Sequence, residues 1–222
     1  MITYRDLISI KVNDNGDRIV PLEKDKILFG YMPELSDMKV ILGDTIFVRE
    51  GTYDKLLKAQ HSLKTKNPNL SLYVTYGYRS LKIQTERFML RLKECANIYF
   101  QNPEDLYEEV HRSIAVPSVA GHPTGGAVDI KIIDIPSGKF LDFGSEQYNY
   151  SNKKYYVYSP NVKGKAMSNR MLLRECMVGA GFAPFDGEWW HFSYGDREWA
   201  CFYKKHTALY DQIKVSELDK FK

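Results

Sequence analysis

Cysteine is scarce in this sequence, and neither sign of charge is in excess. The three cysteines, Cys95, Cys176 and Cys201, are far apart and form no C-x-x-C pair, so neither a disulfide framework nor a thiolate metal site is expected. We expect three reduced, mostly buried thiols. The 31 basic and 28 acidic residues leave a formal net charge of only +3, which argues against a nucleic-acid-binding or membrane-surface protein.

Long apolar runs are also missing. No stretch approaches the roughly 20 residues that span a bilayer, and the start, Met1 to Leu7, has no basic segment followed by an apolar one, as a secretory signal would. We therefore expect a cytoplasmic protein. What is present is typical of a folded domain, since 44% of the 222 residues are hydrophobic and 14% are aromatic. This length is sufficient for one domain with a full core.

The spacing of apolar residues predicts an α+β fold, with a small mixed or antiparallel sheet flanked by helices. Residues 1–30 alternate around Asn13-Asp14-Asn15-Gly16, which predicts an N-terminal hairpin or extended arm before a main region over 31–222. Strands are predicted over Leu70–Tyr76, Ala127–Ile133 and Glu188–Tyr194, and helices over Tyr53–Lys66, Ser80–Ile98 and Met167–Ala180. The stretch from Phe140 to Pro160 predicts a long loop of the kind that often forms a lid.

Two short segments carry the chemically active residues. Ser118 to Asp129 contains His122 and Asp129, and Gly187-Glu188-Trp189-Trp190-His191 contains Glu188 and His191. Two imidazoles and one carboxylate are a natural ligand set for Zn²⁺, and three protein ligands leave one position open for water, as in catalytic sites. The remaining carboxylate, Glu188, is close enough in sequence to serve as the general base for that water.

The spacing within these segments is compatible with one shared site. Gly125 and Gly126 let the chain turn, so that a loop imidazole and a strand carboxylate can converge. Side chains alternate along a strand, so Val128, Ile130 and Ile132 share one apolar face and Asp129 points to the opposite face. Glu188 and His191 are three residues apart and would face opposite ways on a regular strand. Glu188 must therefore lie just before the strand begins.

Together, the H-x6-D and E-x-W-H patterns resemble the zinc D-alanyl-D-alanine dipeptidases and the related D,D- and L,D-carboxypeptidases, which share the fold of the hedgehog signalling domain. The resemblance runs from Asp37 to Trp199 and includes Gly77-Tyr78-Arg79-Ser80, which matches the family's G-Y-R block between a strand and a helix. It implies a general base at Glu188, a transition-state-stabilising cation at Arg79, and one zinc ion per chain held by His122, Asp129 and His191.

The substrate-binding positions match the family less well. Tyr76 stands where the strict dipeptidases have an acid before the G-Y-R block, and the family's serine two residues before the histidine is absent. The acid that holds a dipeptide's free amine falls near Tyr148 or Asn149, with Asp142 and Glu146 close enough to substitute. Candidate substrate contacts are therefore Ser118, Asp142, Glu146, Tyr148 and Trp189.

The expected activity is zinc-dependent hydrolysis of D-alanyl-D-alanine or a similar short peptide with D-amino acids. A D,D- or L,D-carboxypeptidase that trims peptidoglycan stem peptides is the first alternative. A non-catalytic, zinc-stabilised binding module is the second, although a structural site has no need of a base such as Glu188. A short peptide is the expected partner, without nucleic acid or membrane, and the sequence predicts no oligomeric state. Three histidines outside the motifs are expected to be exposed or structural, namely His61, His111 and His206.

Overall fold

Two long, apolar strands form the centre of the fold. The computed structural model describes residues 2–100 and 102–214. Its helices are α1 (Tyr4–Ile8), α2 (Asp37–Leu42), α3 (Glu50–Lys66), α4 (Leu81–Cys95), α5 (Pro103–His111), α6 (Gly164–Ala180) and α7 (Arg197–Phe202). Its strands are β1 (Lys11–Val12), β2 (Ile19–Pro21), β3 (Leu28–Phe29), β4 (Phe47–Arg49), β5 (Leu70–Tyr76), β6 (Ala127–Asp134), β7 (Lys139–Phe140), β8 (Ala183–Pro184), β9 (His191–Ser193) and β10 (Thr207–Ala208).

The main sheet is mixed, as predicted. Its strand order is β3-β5-β6-β9-β8, with β7 added at the end of β6. The central pair β5 and β6 is antiparallel, with Leu72 opposite Ile132 and Val74 opposite Ile130, whereas β3 is parallel to β5. The expectation of a single α+β domain is therefore confirmed.

One face of this sheet is covered by α3 and α6. Both helices present apolar residues at helical spacing, which is why they bury a stripe against the sheet. The shared core includes Leu56, Ala59 and Leu63 from α3, Leu173 and Met177 from α6, and Val128, Ile130 and Ile132 from β6. Truncating one of the buried leucine, isoleucine or methionine side chains in this set to alanine costs roughly 2–5 kcal/mol. The opposite face of β6, which carries Asp129, is not covered by α3 and α6, as the alternation of side chains along the strand predicted.

The N-terminal residues do not form the predicted hairpin. Tyr4–Ile8 is a short helix whose first turn is capped by Thr3. The strands that follow pair with distant segments: β1 with β10 in parallel, and β2 with β4. Alternation in a sequence indicates an extended segment but not its partner, so the hairpin interpretation is wrong.

The other predicted elements are present with small shifts. Helices α3 and α6 each begin three residues before the predicted start, and α4 begins after the cap Ser80, whose side chain accepts a hydrogen bond from the Ile83 amide. The segment between β7 and α6 is irregular except for a short turn at Lys153–Tyr155. No helix in the described part of the chain is both long and apolar enough to cross a membrane.

Candidate active site

The register between β6 and β9 brings Asp129 and His191 together. Asp129 lies directly opposite His191 in the antiparallel pair, and opposite residues of neighbouring strands project on the same face. Nδ1 of His191 is 3.1 Å from Oδ1 of Asp129. Both side chains are buried on the sheet face that the core helices do not cover.

A tight turn delivers His122 to the same point. His122–Thr124 is a single 3-10 turn that ends at Gly125, whose φ of +74° is a left-handed conformation that glycine adopts without strain. Nδ1 of His122 donates a hydrogen bond to the carbonyl of Gly77 at 2.7 Å. The proton is therefore on Nδ1, and Nε2 keeps its lone pair, 3.4 Å from Oδ2 of Asp129.

These three residues fit a zinc ion. Their ligand atoms all lie within 4.8 Å of one another, and two ligands about 2.1 Å from a tetrahedral metal are separated by about 3.4 Å. Burial lowers the pKa of His122 to about 4, so that imidazole is neutral and ready to ligate near neutral pH. Burial alone would raise the pKa of Asp129, but His122 and His191 lower it well below its usual range and keep the carboxylate charged.

Glu188 lies in a turn before β9, as the chemistry requires. Its amide donates to the carbonyl of Phe185 at 3.1 Å, and its own carbonyl accepts from the amide of His191 at 3.2 Å. The side chain is buried in the cleft that the three ligands line. Burial raises the pKa of Glu188 to about 7, a value suited to a base that takes up and returns a proton near neutral pH.

Arg79 enters this cleft from the connection between β5 and α4. Its backbone amide donates to the carbonyl of His122 at 3.2 Å, so the G-Y-R segment and the histidine turn are directly linked. Nη1 donates to Oε1 of Gln84 at 2.8 Å, and the guanidinium lies 4.6 Å from the ring centre of Tyr76. Nε of Arg79 is buried and lacks a hydrogen-bond partner among the described residues. A fixed cation with a free donor can bind an anionic oxygen.

Two tyrosines of the segment after β7 also reach the site. Tyr148 donates a hydrogen bond to Oδ2 of Asp129 at 2.9 Å, and Tyr150 donates one to Oε1 of Glu188. Burial and the adjacent carboxylates raise the pKa of both phenols well above the usual value, so both keep the proton that they donate. Tyr148 has a φ of +60°, a left-handed conformation that is uncommon for an aromatic residue and costs of order 1–3 kcal/mol.

Two further titratable residues lie in the wall of the cleft. Glu198 extends from α7, with Oε2 at 3.3 Å from Nε2 of His191. His111 lies at the end of α5, where its Nδ1 accepts from the amide of Val116 at 3.2 Å. His111 is buried and lines the cleft, whereas His61 and His206 are exposed, as expected.

Most of the predicted substrate contacts lie elsewhere. Ser118 is exposed on the turn Pro117–Val119. Asp142 is exposed, and Glu146 pairs with Lys131 with 80% of its side chain exposed. None of these three lines the cleft. In the structure their turns direct the side chains to solvent and away from the cleft.

Trp189 is a core residue. Its ring stacks on Phe143 with centres 4.2 Å apart, and its indole N–H donates to Ser145 at 3.0 Å. Of the predicted substrate contacts, only Tyr148 lines the cleft.

Sequence reasoning did not identify Tyr150, Gln84, Glu198 or His111 as cleft residues. Tyr150 follows Tyr148 by two residues, but the segment is irregular and Tyr148 has a left-handed backbone conformation. The spacing alone therefore could not place either phenol in the cleft. The other three reach the cleft from helices α4, α5 and α7, and no local pattern links them to the two motifs.

Comparison with known proteins gives the family of the chain. The chain is 29% identical over 192 residues to a D-alanyl-D-alanine dipeptidase from Synechocystis sp., covering 75% of this chain and 76% of that protein. It is 27% identical over 150 residues to a D-alanyl-D-alanine dipeptidase from Enterococcus faecium, covering 64% and 71% of the two chains. The solved structure of the LD-carboxypeptidase LdcB aligns over 90% of this chain and 86% of that chain, with 15% identity and a TM-score of 0.49. The profile of peptidase family M15, described as D-ala-D-ala dipeptidase, matches residues 40–211, and with most of its length matched the chain belongs to this family and is a zinc metallopeptidase.

Proposed function

We propose that the chain hydrolyses D-alanyl-D-alanine or a similarly short peptide that contains D-amino acids. The observation that carries this proposal is the convergence of His122, Asp129, His191, Glu188 and Arg79 in one buried cleft. These residues come from three separate segments of the chain, and their combination supplies the parts of a hydrolytic site. The similarity to D-alanyl-D-alanine dipeptidases supports the choice of substrate.

His122 through Nε2, Asp129 through its carboxylate and His191 through Nδ1 are the proposed zinc ligands. When bound, zinc supplies a Lewis acid that makes hydroxide available near neutral pH. Three protein ligands would leave one coordination position of a bound zinc ion for the reaction. The ion's charge is partly balanced by Asp129.

Glu188 is the proposed general base. Its Oε1 accepts the hydrogen bond from Tyr150, which leaves Oε2 as the atom that takes the proton from water. The same atom then delivers the proton to the leaving amine as the C–N bond breaks. With a pKa raised to about 7, Glu188 can act in both directions.

Arg79 is the proposed partner of the oxyanion that forms when the peptide carbonyl is attacked. Gln84 fixes one end of the guanidinium, and Tyr76 lies under its face. A preorganised donor of this kind needs no reorganisation as charge develops, and losing one typically costs about 10² to 10³ in rate.

A carboxypeptidase acting on longer stem peptides is the second candidate, and one observation favours it. A groove over α4 adjoins the cleft and shares several lining residues with it, namely Arg87, Ser113, Ile114 and Tyr150. This groove offers a path for a peptide longer than two residues. The acids proposed to hold a dipeptide's amine, Asp142 and Glu146, do not line the cleft.

The test is hydrolysis of free D-alanyl-D-alanine by the zinc-loaded chain, with release of D-alanine as the measured product. We expect turnover that a chelator abolishes and added zinc restores. The variant Glu188→Gln serves as the inactive control. Absence of turnover on the dipeptide, together with release of D-alanine from a stem pentapeptide, would replace the dipeptidase assignment with the carboxypeptidase one.

A further inference from the structure

Glu198 is a buried carboxylate that lies outside both sequence motifs. It occupies the first turn of α7, and it is 6% exposed. Its Oε2 lies 3.3 Å from Nε2 of His191. That ring nitrogen is buried and makes no hydrogen bond in the described part of the chain. The carboxylate of Glu198 is the charged group that the structure places beside it.

The two nitrogens of His191 thus face two different carboxylates. Nδ1 lies 3.1 Å from Asp129, on the side of the proposed metal, and Nε2 faces Glu198 on the other side. A neutral imidazole carries its proton on only one nitrogen. A carboxylate beside Nε2 favours the tautomer with the proton there, which leaves the lone pair on Nδ1.

We propose that Glu198 is a positioning residue of the zinc site, which accepts a hydrogen bond from Nε2–H of His191 and so fixes the tautomer and orientation in which Nδ1 can ligate. The inference deepens the proposed function and rests on its ligand set. Carboxylates that hold a ligating histidine in this way also raise the basicity of the ring, and losing such a partner typically costs 10–100-fold in metal affinity or activity.

The other two proposed ligands are held by different groups. His122 donates to the backbone carbonyl of Gly77, and Asp129 accepts from the phenol of Tyr148. Glu198 is the one partner of the three that brings a negative charge. Its removal should therefore affect the affinity for a cation more strongly than a neutral partner's removal would.

Asp196 provides a matched control. It is 1% exposed and precedes the same helix, where Oδ1 accepts from the amide of Trp199 at 2.9 Å. Asparagine can keep this capping bond. Asp196→Asn therefore removes a buried carboxylate from the same turn while leaving the contact between Glu198 and His191 in place.

The experiment measures the zinc affinity of the full chain by competition with a chelator, which requires no substrate. We expect Glu198→Ala to weaken zinc binding by roughly 10–100-fold. Glu198→Gln, which keeps the shape and an acceptor oxygen but loses the charge, should weaken it less. Asp196→Asn should leave it unchanged. Thermal unfolding of the zinc-free variants confirms that each is folded, and the glutamine variant decides the question if the alanine variant does not fold.

Unchanged zinc affinity in the folded Glu198 variants would overturn the inference, and so would an equal weakening in Asp196→Asn. His191→Ala, measured in the same assay, separates this outcome from a failure of the ligand set. Full affinity in His191→Ala would show that the ligand assignment is wrong. Lost affinity in His191→Ala, with normal affinity in the Glu198 variants, would overturn only the role of Glu198.

Discussion

The phenol of Tyr150 donates a hydrogen bond to Oε1 of Glu188. Since the proposed base acts through Oε2, this bond fixes the direction in which that oxygen points. Tyr150→Phe removes the bond but keeps the ring, which packs edge-on against Trp190. We expect kcat to fall roughly tenfold, about 1.4 kcal/mol, which is close to the lower end of the range of about 1.5–3 kcal/mol for one hydrogen bond to a charged group.

Zinc content and KM should be unchanged in Tyr150→Phe, because the phenol contacts the base and not the ligands. Steady-state kinetics and metal analysis measure both. Tyr158→Phe is a suitable control, since Tyr158 belongs to the same segment and is 57% exposed. Equal losses in the two variants would show that the effect comes from the segment as a whole.

The ligand set makes a direct prediction about metal content. Purified protein should contain about one zinc per chain, and His122→Ala, Asp129→Ala or His191→Ala should each lose it, because two remaining protein ligands make a weak site. Metal analysis after dialysis against a mild chelator measures this. Full occupancy in Asp129→Ala would remove that residue from the set.

The variant Glu188→Gln tests the role of Glu188 as the general base independently of zinc binding. The variant should retain zinc but lose roughly 10² to 10⁴ in kcat, the usual contribution of a positioned base. Because glutamine has nearly the same volume, packing against Tyr150 is preserved. Turnover close to that of the unmodified chain would contradict the assignment of Glu188 as the base.

Arg79→Ala should keep zinc and lower kcat more than it raises KM, because an oxyanion partner acts chiefly in the transition state. Arg87→Ala is the matched comparison. Both guanidinium groups lie over the ring of Tyr76, but Arg87 is ion-paired with Asp37, so its loss should have the smaller effect on kcat. A change confined to KM in Arg79→Ala would make Arg79 a substrate-anchoring residue instead.

Local patterns predict the central strands β5 and β6 well, whereas β9, which carries His191, covers only His191–Ser193 of the predicted strand Glu188–Tyr194. The prediction for β5 matches Leu70–Tyr76, and β6 extends one residue beyond its predicted end. The parity of β6 correctly separates Asp129 from the core face, because side chains alternate along a strand. The position of Glu188 before β9 follows from the requirement that it and His191 face one cleft.

Groups that arrive from distant segments could not be predicted in this way. Glu198 and His111 reach the cleft from separate helices, and their approach depends on tertiary packing. The expectation for Asp142 and Glu146 rests on their position along an irregular segment, where the direction of each side chain depends on contacts formed after folding. The same limit explains why the pairing of the N-terminal strands β1 and β2 could not be predicted, since their partners β10 and β4 are not adjacent to them in sequence.

Substrate length depends on how the amine end of the peptide is recognised. If the chain is a dipeptidase, acetylating the amine of D-alanyl-D-alanine should reduce kcat/KM at least roughly tenfold, about 1.4 kcal/mol, the scale of one lost charged contact. The structure also predicts that Asp142→Asn and Glu146→Gln leave kcat/KM for the free dipeptide unchanged, since neither residue lines the cleft. A loss of activity in either variant would require the segment to close over the substrate and bring that acid inward. Cleavage of the acetylated dipeptide or of a tetrapeptide at least as fast as the free dipeptide would show that the cleft is open toward the groove over α4, and the carboxypeptidase assignment would then hold.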